Sequence, residues 1–114
     1  MIQYEGEALM VIPYNKLVRD RIPEIIQSSG NSCTTDILST EDYLHMIDAK
    51  LDEELAEYHK DQNIEELADL LEVIRAAANA RGYTIEDLER VRAEKAAKRG
   101  CFEKRIMLKK VVEE

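Results

Sequence analysis

The chain has 114 residues, a length that favours one domain with a modest core, so an oligomer that buries further surface is expected. Its formal net charge of −8 argues against a duplex nucleic-acid binder, because contact with phosphates requires a cationic face. No apolar run reaches the length of a membrane span, and the N-terminus lacks the pattern of a secretion signal. The two cysteines, Cys33 and Cys101, form no zinc signature, and without an export signal they are predicted to be free thiols. The sequence therefore predicts a cytoplasmic protein without a membrane partner.

The pattern of apolar residues, caps and helix breakers predicts an all-α fold, an antiparallel bundle of about four helices with a central helical hairpin. Residues 1–114 are predicted to form a single domain in which residues 1–13 are an irregular N-terminal extension. The termini could also hold a short strand or a swapped segment. A first helix is predicted to begin near Asp20, which can cap it, and to end at Ser29-Gly30-Asn31. Residues 31–38 are predicted to be a short strand or an extended connector.

The second and third helices are predicted to form the hairpin. Ser39-x-x-Asp42 opens the second helix, which reaches about residue 60, and Asn63-x-x-Glu66 opens the third, which reaches about residue 80. About two residues separate these helices, so they should pair antiparallel. The second helix has one apolar face, formed by Leu44, Ile47, Leu51, Leu55 and Tyr58. The third has two, a main stripe of Ile64, Leu67, Leu71, Ile74 and Ala78 and a second stripe of Leu70, Val73 and Ala77. A helix that is apolar on two sides is expected at the centre of a bundle or in a dimer interface.

A fourth helix and a cationic tail complete the chain. Thr84-x-x-Asp87 opens the helix, which reaches about residue 99 and is broken by Gly100. The tail that follows is predicted to be a strand or a short helix. Nine of the sixteen lysines and arginines lie after residue 89, whereas residues 41–72 hold twelve of the twenty-four acids. The sequence therefore separates a region suited to cations from a region suited to anions, which fits a ligand that is a metal–phosphate complex.

Two pairs of carboxylates flank the predicted hairpin loop at matching heights. Glu54 and Glu57 stand three residues apart before the loop, and Glu66 and Asp69 stand three residues apart after it. Residues at this spacing are neighbours on a helix surface, so each pair can converge on one point. Partly buried carboxylates repel one another unless a cation joins them, and a cluster without His or Cys selects Mg²⁺ or Mn²⁺.

Each acid has a simpler explanation when it is taken alone. An exposed glutamate on a helix is common, and a capping box explains Glu66 by itself. Capping explains neither Asp69 nor the matched heights of the two pairs. Four further acids fit the solvated-surface interpretation better, although Glu53 could support or replace a ligand. These four are Glu53, Asp61, Glu65 and Glu72.

The motifs EELAE and EELAD resemble the E-x-x-E, short gap, E-x-x-D signature of the MazG-like all-α nucleoside triphosphate pyrophosphohydrolases. Two flanking segments strengthen the resemblance, YNKLVRDRIPEII near the start and KRGCFEKRIMLKKV near the end, and together they resemble the small phosphoribosyl-ATP pyrophosphohydrolase-like branch. The resemblance covers residues 14–112. It implies a helical bundle that forms a homodimer or a higher oligomer, with Mg²⁺ held by Glu54, Glu57, Glu66 and Asp69. It also implies hydrolysis of a nucleoside triphosphate, in many members a non-standard one, between the α and β phosphates, with release of pyrophosphate.

The hypothesised mechanism is metal-assisted attack of water on a phosphorus, with Glu57 as the base that orients or deprotonates the water. Basic residues would stabilise the developing charge and the leaving pyrophosphate. The candidates from the residues are Lys50, Lys98, Arg99, Lys104 and Arg105, and the N-terminal resemblance adds Asn15, Lys16 and Arg19. Two alternatives stay open: a phosphoribosyl-ATP pyrophosphohydrolase of histidine biosynthesis, and a non-catalytic helical interaction module.

Overall fold

The computed structural model describes residues 3–5 and 9–114, with the backbone alone for residues 3–5 and 9. Within them, a two-stranded antiparallel hairpin is followed by four helices, so the predicted all-α class is confirmed. Strands β1 (Gln3–Glu5) and β2 (Leu9–Val11) pair with Gln3 opposite Val11, inside the segment that was predicted to be irregular. The helices are α1 (Ile22–Ser28), α2 (Thr40–Asp61), α3 (Ile64–Ala80) and α4 (Ile85–Arg99).

Helix α3 contacts two other helices, since it packs against α2 and also contacts α4, which follows it in the chain. The turn between α2 and α3 consists of Gln62, in the left-handed conformation with φ of 51°, and Asn63. Because this turn is so short, α2 and α3 run antiparallel as predicted, and residues equally distant from it lie side by side.

Local side-chain chemistry explains where three of the helices begin. Ser39 and Asn63 each accept a hydrogen bond from the backbone N–H three residues later, and Thr84 and Asp87 form a reciprocal capping box. The start of α1 differs from the prediction: its N-cap is Arg21, and no side chain caps it, so Asp20 does not have the predicted capping role. Proline in the first turn of α1 favours the helix without a side-chain cap.

The two segments whose structure was left open have no helix or strand. Residues 31–38 form an extended connector, and residues 101–114 contain one turn near residue 103 and are otherwise irregular. Within the described part of the chain, none of the helices combines the length and the apolar character needed to cross a bilayer.

The two apolar stripes of α3 have different surroundings. The second stripe, Leu70, Val73 and Ala77, is half-buried, and α2 contributes Ile47, which is 3% exposed and the one buried hydrophobic residue of the described chain. Most of the main stripe faces solvent, since Ile64 is 72% exposed and Leu71 55%. The weaker of the two stripes therefore supplies the contacts of α3 within the chain, and the stronger one stays uncovered.

Candidate metal centre

Three carboxylates from two helices converge beside the α2–α3 turn. Glu54 on α2 and Glu66 and Asp69 on α3 each offer an oxygen, and these oxygens all lie within 4.8 Å of one another. All three residues are half-buried, and the side chain of Glu54 is only 13% exposed. The structure thus brings together three of the four acids predicted from the sequence, and the antiparallel pairing of α2 with α3 places them at the same height.

The fourth predicted acid belongs to a second group that overlaps the first. Glu57 and Asp61 on α2 form this group with Glu66, again with oxygens within 4.8 Å of one another. Glu57 and Asp61 are exposed, whereas Glu66 is half-buried and shared by both groups. Asp61 had been assigned to the solvated surface from the sequence, and the pattern contained a signal for its place here: it follows Glu57 by four residues, so it lies on the same side of α2.

The neighbouring acids of the cluster affect the pKa of Glu66. Partial burial raises the pKa of its carboxyl group, and the negative charges of Asp61, Asp69, Glu57 and Glu54 raise that pKa further. Its side chain takes no part in a capping box, because the cap of α3 runs in one direction, from the Glu66 N–H to Asn63. The explanation of Glu66 as a capping residue therefore does not account for its carboxylate, which points to the other acids.

Basic side chains neutralise part of this charge from one edge of the hairpin. Arg19 donates to Asp69 at 2.7 Å, and Lys50 lies 3.5 Å from Glu54. Lys50 and Lys16 both contact Glu53 at 3.3 Å. Burial by itself would raise the pKa of Glu53, but the two ammonium groups together lower it below its ordinary value. The segment that contains Lys16 and Arg19 is thus held across the carboxylates by two ion pairs.

A groove with a volume of about 680 Å³ lies next to the first group of carboxylates. Glu54 and Asp69 line it together with three cations, Arg19, Lys50 and Arg75. Apolar side chains from the segment before α1 and from all four helices form much of the remaining wall, including Leu17, Ile22, Ile47, Val73 and Ile85, and the polar residues Asp20, Glu72 and Asn79 line it as well. Such a space offers carboxylates, cations and an apolar surface to a single ligand.

The predicted phosphate-binding residues fall into two separate places. Arg19 and Lys50 line the groove, and Lys16 is linked to its edge through Glu53. Four candidates lie elsewhere: Lys98 is in the last turn of α4, and Arg99, Lys104 and Arg105 line a second depression of about 300 Å³ that shares no residue with the groove. Asn15 adopts the left-handed conformation with φ of 49°, which asparagine tolerates better than most residues, and it does not line the groove.

Glu72 and Arg75 both line the groove, although Glu72 was assigned to the solvated surface and Arg75 was not among the predicted site residues. The sequence did contain a signal for the part of the groove that α3 forms. Glu72, Ala76 and Asn79 follow Asp69 by three, seven and ten residues and so share its face of the helix. No such periodicity connects Arg75 with Asp69. Arg75 does follow Glu72 by three residues, so it borders the part of α3 that faces the groove.

No family model matches the chain, and no solved structure matches it. A protein of Mycolicibacterium smegmatis (strain ATCC 700084 / mc(2)155), described as uncharacterized, is 55% identical over 42 residues, which span 37% of this chain and 43% of that protein. The alignment covers less than half of either chain, so the resemblance to the MazG-like family stays a prediction.

Proposed function

We propose that this protein is a Mg²⁺-dependent nucleoside triphosphate pyrophosphohydrolase that acts on non-standard nucleotides. The observation that carries the proposal is the convergence of Glu54, Glu66 and Asp69, from two helices, on one point at the edge of a groove. The motif resemblance supports the reaction class, and the cations around the groove support an anionic substrate.

The donor set fits a hard dication. Mg²⁺ prefers oxygen ligands and is commonly held by a few carboxylates, which Glu54, Glu66 and Asp69 would supply. Bound Mg²⁺, or Mn²⁺ in its place, supplies positive charge that relieves the repulsion raising the pKa of Glu66, neutralises the triphosphate and makes an attacking water more acidic.

The residues around the ligands have distinct tasks in the proposed reaction. Glu57 lies outside the first group of carboxylates but in contact range of Glu66, so it is available to orient a water and take its proton. The water oxygen forms a bond to a phosphorus of the α–β anhydride, and the anhydride bond to that phosphorus breaks. The products are a nucleoside monophosphate and pyrophosphate.

Arg19 and Lys50 are placed to bind the phosphates. Each contacts a predicted metal ligand, Asp69 and Glu54 respectively, so each would lie close to a phosphate that approached these carboxylates. In the structure these cations partly neutralise the carboxylates. With a dication held by Glu54, Glu66 and Asp69, the guanidinium of Arg19 and the ammonium of Lys50 would be available to the triphosphate, and Arg19 could bind two phosphate oxygens at once.

The experiment that tests the function is an assay of pyrophosphate release. The purified chain is incubated with standard, damaged and deoxy triphosphates and with phosphoribosyl-ATP, once with Mg²⁺ and once with a chelator. We expect Mg²⁺-dependent release from one or more non-standard triphosphates. Activity on phosphoribosyl-ATP alone would instead indicate a phosphoribosyl-ATP pyrophosphohydrolase of histidine biosynthesis. If no substrate releases pyrophosphate, the non-catalytic interaction module is favoured.

A further inference from the structure

The C-terminal arm, residues 100–114, is an apolar and cationic segment that is largely exposed among the described residues. Phe102 is 98% exposed, and five more apolar side chains are at least 71% exposed: Ile106, Met107, Leu108, Val111 and Val112. Among the described residues, no hydrogen bond or ion pair joins the arm to α2 or α3. An isolated chain would leave this surface in water, which soluble proteins rarely do over such a length.

The α2–α3 hairpin offers a surface that complements the arm. The main stripe of α3 is exposed at Ile64, Leu67, Leu71 and Ile74, and Leu55 of α2 is exposed as well. Residues 41–72 carry twelve acids and two basic residues. Residues 98–112 carry six basic residues, Lys98, Arg99, Lys104, Arg105, Lys109 and Lys110, and one acid, Glu103. Apolar side chains and opposite charges therefore occur together on both surfaces.

The molecule is more extended, and exposes more surface, than a compact chain of its length. The radius of gyration is 20.0 Å and the longest extent is 75 Å, whereas a compact chain of this length has a radius of about 13 Å. The accessible surface is 10639 Å², against roughly 6,400 Å² for a compact monomer of this mass. The excess is several times the about 800 Å² that each partner buries in a stable interface.

We infer that a second copy of this chain covers the main stripe of α3 with its C-terminal arm, and that Lys104 and Arg105 of that copy complete the phosphate-binding side of the groove. The first part of the inference stands on the exposed surfaces and their charges. The second part rests on the proposed function, and it explains why these two cations line no part of the groove within one chain. A reciprocal exchange of arms gives a closed twofold dimer in which both arms and both faces are used.

The first test is the mass of the full-length chain in solution, measured by sedimentation equilibrium in the absence of metal and nucleotide. We expect a mass of at least two copies of the 13.1 kDa chain. A double substitution in the arm, Ile106→Ser with Leu108→Ser, should weaken association at least tenfold, and so should Leu71→Asp on α3. Val91→Ser, which removes an exposed apolar residue of α4 outside both surfaces, should leave association unchanged. A monomeric wild-type chain, or association that is insensitive to both the arm and the α3 substitutions, overturns the inference.

A second test identifies the chain that the arm contacts. Equal amounts of ¹⁴N- and ¹⁵N-labelled protein are refolded together and treated with a carbodiimide, which joins lysines of the arm to nearby carboxylates of α2 and α3. Random pairing in a dimer puts both isotopes into about half of these cross-linked peptides if the arm is exchanged. Cross-links that never mix isotopes mean that the arm folds back on its own chain, which overturns the inference.

The role of Lys104 and Arg105 has its own test. Asp69→Asn is mixed and refolded with the double variant Lys104→Ala, Arg105→Ala, and pyrophosphate release is measured. If the arm acts across the interface, about a quarter of the sites in the mixture are intact, so activity returns although each variant alone is impaired. Oligomers that form normally but show no recovery overturn the role of these cations. Because mass and cross-links require no catalysis, a failure of the proposed function is distinguishable from a failure of the arm exchange.

Discussion

Replacement of Glu57 by Gln should lower kcat for pyrophosphate release by about 10²–10⁴-fold, the usual contribution of a positioned general base. The amide keeps the size of the side chain but cannot take a proton from water. Glu57 lies outside the group formed by Glu54, Glu66 and Asp69, so the variant should still be stabilised by Mg²⁺. The measurements are steady-state kinetics on the best substrate of the panel and a thermal melt with and without Mg²⁺.

Glu65→Gln provides the matched control for that variant. Glu65 is exposed, lies on α3 next to Glu66 and belongs to neither group of carboxylates, so its replacement removes the same charge without touching the site. Activity of this control should stay within about twofold of wild type, as is usual for a surface substitution. If Glu57→Gln retains full activity, or if the control loses as much, the assignment of the base is wrong.

Replacement of Glu66 by Gln should stabilise the protein without metal and remove most of its response to Mg²⁺. In the metal-free protein the ionised carboxylate is opposed by partial burial and by the charges of Asp61, Asp69, Glu57 and Glu54, and a neutral amide is not. At neutral pH with a chelator, the variant should therefore melt at a higher temperature than wild type. Differential scanning calorimetry of the two proteins measures this difference directly.

The pH dependence of that difference follows from the direction of the pKa shift. Because the folded state raises the pKa of Glu66 above its ordinary value of 4.5, protonation of Glu66 stabilises the fold, and this stabilisation is lost as the pH rises through the raised pKa. The advantage of the Gln variant should hence be largest at neutral pH and disappear as the pH falls to about 4.5. An advantage that is independent of pH would mean that the repulsion around Glu66 is not its cause.

Mg²⁺ should reverse the order of the two proteins. At ten times its dissociation constant, a ligand that binds only the folded state adds about 1.4 kcal/mol, which corresponds to a rise of roughly 5–10 °C in the melting temperature of a chain this size. Wild type should show this rise, and Glu66→Gln should show little of it. Equal responses of both proteins to Mg²⁺ would exclude Glu66 as a ligand.

The helices and their order could be predicted from the sequence because their signals are local. Ser39, Asn63 and Thr84 each place a side-chain oxygen where the first free N–H groups of a helix need an acceptor, and the structure contains all three bonds. The two-residue turn then determines the pairing of α2 with α3, and with it the convergence of Glu54, Glu66 and Asp69. Asp20 shows the limit of such signals, since a residue able to cap a helix does so only if the backbone begins the helix at that point.

The rest of the site depends on contacts between segments that are distant in the sequence. The ion pair of Arg19 with Asp69 joins residues fifty positions apart, and no helical spacing connects them. Which of the two stripes of α3 packs against α2 was also undetermined, because each stripe satisfies the same periodicity. The stronger stripe is the uncovered one, as expected if the second copy proposed above covers it.

The central claim is that carboxylates from α2 and α3 bind one dication together. We propose to add substoichiometric Mn²⁺ to the ¹⁵N-labelled protein and to measure the paramagnetic broadening of each backbone amide. The account predicts that broadening is strongest around Glu54 on α2 and around Glu66 and Asp69 on α3, at the same Mn²⁺ concentration, and that it is absent in Asp69→Asn. Broadening spread evenly over the acidic surface, or confined to one of the two helices, would contradict it.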